Sequence, residues 1–209
     1  LAMGLFARPH DKRLYVLLVV VIAIDNYVQA PVLSNHTILL NFLILTFLVG
    51  GGWHILRGNH WEAFLADVIP VGRTLLIIMY IFGIFHKLNT GFLNPEVSCA
   101  VVLWQYMPPP LVWLQADWLA HVKIYGTFIA EGIIMLCLLT PGLRHYGIIG
   151  GVVFHLFLAL SSYRMYVPFT ALTIAFHTLF LDPDSARRIM TAAPLRHFRR
   201  LLDRPVGYL

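Results

Sequence analysis

The sequence predicts an all-α polytopic membrane protein: a bundle of about six transmembrane helices with a proline-broken interfacial segment between the third and fourth. Three observations predict it. Hydrophobic residues make up 59% of the 209 residues and charged ones only 12%, against about 25% in an average soluble domain. Mean hydropathy is +0.75, so a water-exposed surface could not be covered. The apolar residues also fall into runs of about 20, the length that crosses a bilayer.

The runs are expected near 14–31, 37–56, 69–88, 120–140, 143–163 and 165–182. The first follows Arg8, Lys12 and Arg13, lacks a small-residue cleavage site, and reads as a retained span. Turn residues separate the runs: Pro31 with Ser34 and Asn35, Gly58 with Asn59, Pro95, and Pro141 with Gly142. The break near Arg164 is tight. Between the third and fourth runs, Pro108, Pro109 and Pro110 interrupt an apolar stretch. Proline lacks the N–H that a helix interior needs. That stretch is expected to lie at the membrane interface, with Trp104, Tyr106, Trp113 and Trp118 at headgroup depth.

Residues 1–182 thus form the expected transmembrane domain and 183–209 a basic tail. Arg8, Lys12, Arg13, Arg57, Arg73, Arg144 and the tail arginines fall on one side of six spans, which predicts that both termini are cytoplasmic. The expected surroundings are the lipid bilayer and, through helices and tail, other subunits of a membrane complex. The net charge of +5 does not by itself point to nucleic acid. Cys99 and Cys137 show no metal-site spacing, and this topology keeps them too far apart for a disulfide.

Ionisable groups inside such runs usually face the bundle interior. Lys87, His36, Lys123 and Arg164 are expected at one depth near the outer face. His86 and Lys87 point about 100° apart on a helix, so at most one faces a shared site. Glu131, His155 and His177 lie mid-run, with Asn41 and His54 on the second run. Two roles stay open for these groups: hydrogen bonding between helices, or ligation of a haem or pigment by His155 and His177. No GxSxG, HExxH or phosphate-binding loop occurs.

Three segments taken in order carry a resemblance. YIFGIFHKLNTGFLNPEVSCA, LSNHTILLNFLILTF and VVFHLFLALSSYRMYVPFTALTIAFHTLFLDPDSARR resemble elements of the vitamin K-dependent gamma-carboxylase membrane domain. Bacterial HTTM (horizontally transferred transmembrane) proteins share that domain. The resemblance covers about residues 30–190. It implies a site for a quinol or bound lipid near the outer leaflet. Lys87 would be the catalytic base and His36 its partner, with Asn35, His86, Lys123 and His155 in the substrate-binding set and no metal. Leu156, Phe157 and Leu158 stand where the family carries polar residues, and the tail is short, so peptide carboxylation is not expected. Carboxylase-like or quinol-oxidising enzyme, and non-catalytic subunit of a photosynthetic or respiratory complex, are the two leading readings. A haem or pigment protein is the third.

Overall fold

A computed structural model describes residues 12–28, 35–58, 61–160 and 166–191. Among them every regular element is helical. The order is α1 (Lys12–Val28), α2 (Asn35–Leu56), α3 (Trp61–Lys87), α4 (Thr90–Leu93), α5 (Cys99–Trp104), α6 (Ala120–Leu139), α7 (Arg144–Leu160), α8 (Tyr166–Thr178) and α9 (Pro183–Thr191). Three stretches, Glu62–Lys87, Asp117–Leu139 and Pro141–Leu160, are long and apolar enough to cross a membrane. Arg164 and residues 192–209 lie outside the described residues, as do the side chains of Asn35 and His36.

The third helix starts at Trp61, earlier than the expected 69, and runs through Pro70. The pyrrolidine ring costs Ala66 its carbonyl partner. The apolar residues on both sides keep the helix going, because helix is how a chain satisfies its own backbone when water is scarce.

The backbone packs as two units, 1–71 with 182–209, and 72–181. In the first, Val19, Ile44, Phe64 and Val68 form the core, with Phe47 packed against it. His54 Nε2 lies 2.9 Å from Asp67 Oδ2. Gly58, at φ +66°, ends α2 in the left-handed conformation that terminates many helices. Arg57 meanwhile lies 3.8 Å over the Trp53 ring. At α9, the Asp182 carboxylate accepts the Ser185 N–H at 2.8 Å, and Pro183 takes the first helical position.

In the second unit, α6 packs along α7 and α7 along α8. Glycine allows both approaches. A Cβ at Gly147 would stand 2.8 Å from the Leu138 backbone N, and one at Gly151 would fall inside the His177 ring. Gly147, Gly151 and His155 recur every fourth residue, so α7 presents one small-residue face that ends in an imidazole. From α3, Arg73 Nε donates to the Leu179 carbonyl at 2.7 Å, just past the end of α8. Cys99 is exposed, Cys137 half-buried, and neither is in a disulfide.

The proline-broken stretch is a short helix, α5, then turns and two 3-10 segments, Val112–Gln115 and Asp117–Leu119. Trp113 and Trp118 are exposed, while Trp104 packs edge-on against Phe157 at 5.2 Å. Lys123 and Gln115 hold the stretch. Lys123 Nζ donates to the Gln115 and Ala116 carbonyls, both at 3.2 Å. The Gln115 side-chain amide donates to the Gln105 and Met107 carbonyls at 3.1 and 3.3 Å.

Candidate functional site

Two polar groups sit on one face of α3. Leu76, Tyr80, Gly83 and Lys87 recur at intervals of three or four residues and so line up along the helix. Lys87 ends the helix, where Asn89 turns the chain. The Asn89 side chain donates to the His86 carbonyl and accepts the Phe92 N–H at 2.8 Å, which caps α4. That corner keeps Lys87 beside the bundle.

The first group is an ion pair. Lys87 Nζ donates to Glu131 Oε2 on α6, with side chains 20% and 12% exposed. Gly83 lies alongside it: a Cβ there would be in ordinary contact, 3.7 Å from Lys87 Nζ and 3.8 Å from Glu131 Oε2. Lys87 Nζ is also 6.0 Å from the Phe92 ring centre. An amine and a carboxylate together can hold two transferable protons, and the ion-paired form holds one. The pair can therefore accept one proton at the carboxylate and leave the ammonium free to face an anion.

The second group joins three helices. Tyr80, His155 and His177 are each no more than 1% exposed. The Tyr80 hydroxyl lies 3.1 Å from His155 Nε2 and 3.0 Å from His177 Nε2. His177 Nδ1 lies 2.6 Å from the Thr173 carbonyl. A carbonyl only accepts, so His177 Nδ1 donates. Thr170 adds a hydroxyl donated to the His155 carbonyl at 2.9 Å, which ties α8 to α7.

The expected site residues separate on this framework. Lys87 meets Glu131, which the sequence marks only as a mid-run acid. His86 is exposed and points away from the pair, as the 100° step between neighbours requires. Lys123 is 1% exposed, and its ammonium binds the Gln115 and Ala116 carbonyls, so it holds the chain rather than presenting a charge. His155 joins Tyr80 and His177. The helix α2 begins at Asn35 and His36, but the side chains that would partner Lys87 lie outside the described residues. His155 and His177 both turn Nε2 onto one tyrosine hydroxyl, with ring centres 5.7 Å apart. Among the described residues no group of three or more His, Cys, Asp or Glu side chains converges as metal ligands.

Tyr80 is the member that sequence reading misses. Its signal is positional: seven residues before Lys87 and three before Gly83, it shares their helix face. No protein-family model, curated protein or solved structure matches this chain.

Proposed function

We propose that this chain is an integral membrane protein of the HTTM and gamma-carboxylase-like kind, which binds a lipid-soluble quinol and takes a proton from it. The six apolar segments form the bundle, in a bacterial inner membrane with both termini cytoplasmic, as the arginine distribution supports.

The observation that carries the reading is the Lys87–Glu131 pair between two helices long and apolar enough to cross a membrane. Ionisable groups in such helices are costly, and they mark ligand or proton sites. The chemistry balances without a further reactant. The quinol O–H bond breaks, its proton goes to the Glu131 carboxylate, and the quinolate oxygen pairs with the Lys87 ammonium. The lysine that the family resemblance names as base then works as one half of a pair. A quinol would arrive sideways from the lipid, which suits a site on helix faces.

The test is mass spectrometry of quinones that co-purify with the full chain in mild detergent, for wild type, Lys87→Met and Glu131→Gln. Quinone per protein is expected to fall at least about tenfold in Lys87→Met, the loss of roughly one charge-assisted hydrogen bond. Equal retention in all three overturns the quinol reading. If equal retention comes with partner proteins at fixed stoichiometry, the chain is an accessory subunit of a larger membrane complex.

A further inference from the structure

The Tyr80–His155–His177 chain has a fixed direction, which follows from the hydrogen bonds alone. His177 Nδ1 donates to the Thr173 carbonyl, so in the neutral ring its Nε2 carries only a lone pair. Tyr80 has one hydroxyl proton, and it goes to that lone pair. The Tyr80 oxygen can then only accept from its other neighbour, so His155 carries its proton on Nε2. This assigns both tautomers from the network. His155 Nδ1 is left as a bare acceptor. It is buried and has no hydrogen-bond partner among the described residues. Leaving such an atom unpaired costs about 1–3 kcal/mol, and an orphan of this kind calls for a functional account. The Phe154 and Phe169 rings stand edge-on to His155, both with centres at 5.3 Å, so the flanks of the imidazole are aromatic.

We propose that Tyr80 and His177 are positioning residues: they lock His155 as the Nε2–H tautomer, so that Nδ1 accepts the hydroxyl of an aromatic, membrane-soluble ligand. Gly151 is part of the device, because any side chain there would displace the His177 ring. The ligand half rests on the quinol reading above, whereas the tautomer half does not.

The experiment uses the full chain in lipid nanodiscs with nitrogen-15 histidine, and resonances are assigned with His155→Gln and His177→Gln. Without ligand, His155 is expected as Nε2–H and His177 as Nδ1–H. A His155 Nδ1–H signal overturns the proposal, whatever quinones the protein retains. Tyr80→Phe keeps the ring and removes the hydroxyl. It is expected to release His155 into a mixture of tautomers and to leave His177 as Nδ1–H. An unchanged single His155 tautomer in Tyr80→Phe overturns the positioning role. Gly151→Ala, which leaves every member of the chain in place chemically, is expected to give the same mixture.

The ligand half is read with 4-decylphenol against 4-decylanisole, which partitions into lipid similarly but has no O–H to donate. The phenol is expected to shift His155 Nδ1 and the anisole not. His155→Asn retains an acceptor near the Nδ1 position and is expected to bind the phenol within about threefold of wild type. His155→Gln retains only a mimic of the Nε2 side and should bind about tenfold more weakly. If phenol and anisole act alike, the ligand half falls. If quinone retention still depends on Lys87 in that case, the proposed function stands without it.

Discussion

The Tyr80 hydroxyl stands 3.0 Å from Nε2 of His177, a residue 97 positions later in the chain. The same oxygen reaches His155 at 3.1 Å, so one hydroxyl joins three helices in a place from which solvent is excluded. A hydrogen bond in such surroundings is costly to lose, because no water replaces the missing partner.

Tyr80→Phe should therefore destabilise the protein by about 1–3 kcal/mol, since it strands one lone pair and one N–H. Thermal unfolding in detergent checks this. His155→Phe at the same network is expected to cost a similar amount, and the double variant less than the sum of the two. Additive losses would show that the two side chains do not share a bond.

The Lys87–Glu131 pair gives a second cycle. Removing either partner leaves a charge in a largely apolar setting and is expected to cost about 3 kcal/mol, the low end for buried pairs because Lys87 keeps a fifth of its surface exposed. Lys87→Met with Glu131→Leu should recover much of that loss, because the isolated charge is gone. A double variant as unstable as the worse single one would place the pair's contribution elsewhere.

Glycine positions separate close packing from open surface. Gly151→Ala should lower stability by about 1–3 kcal/mol by forcing the His177 ring aside. Gly132→Ala on α6 meets nothing within 4 Å and should leave stability unchanged or slightly raised. Melting curves of the two variants measured side by side decide the matter.

Lys123→Met removes both donors that Lys123 gives to the Gln115 and Ala116 carbonyls. Stability is expected to drop by about 2 kcal/mol, in the range for hydrogen bonds to a charged group. Protease cleavage between residues 105 and 119 should rise. Quinone retention should not change in Lys123→Met, because the ammonium is spent on the backbone.

Acid should loosen α9. Hydrogen bonds from the Ser185 hydroxyl and backbone hold the Asp182 carboxyl below its usual range. A carboxyl that is lowered in the folded state stabilises above the unfolded value of about 3.9, and its contribution fades as pH falls through the folded value. Protection of the Ser185 and Ala186 amides, taken relative to the intrinsic exchange rate at each pH, should fall on acidification below about pH 4. Asp182→Asn should flatten that response.

Much of this architecture is legible in the residues. Runs of apolar side chains without strand alternation require helix, and Gly58, Asn89 and the Asp182–Pro183 pair mark where helices end or begin, through a left-handed φ and through side-chain caps. The seven-residue spacing of Tyr80 and Lys87 already puts them on one face. The start of the third helix is not legible, because Glu62 and Asp67 dilute the apolar run before 69 while the helix continues through Pro70.

What the sequence by itself determined is thus the helical class, the apolar character and the local corners, all of which depend on neighbours in the chain. Only the tertiary structure decided that Lys87 meets Glu131, 44 residues away, and that Tyr80 finds two histidines on α7 and α8. The reason lies in the composition. A helix apolar enough to cross a membrane is nearly as apolar on its outer face as on its inner one, so hydrophobic periodicity does not reveal which face turns inward. Close approach at Gly147 and Gly151 sets that rotation, and the rotation brings the buried polar side chains together.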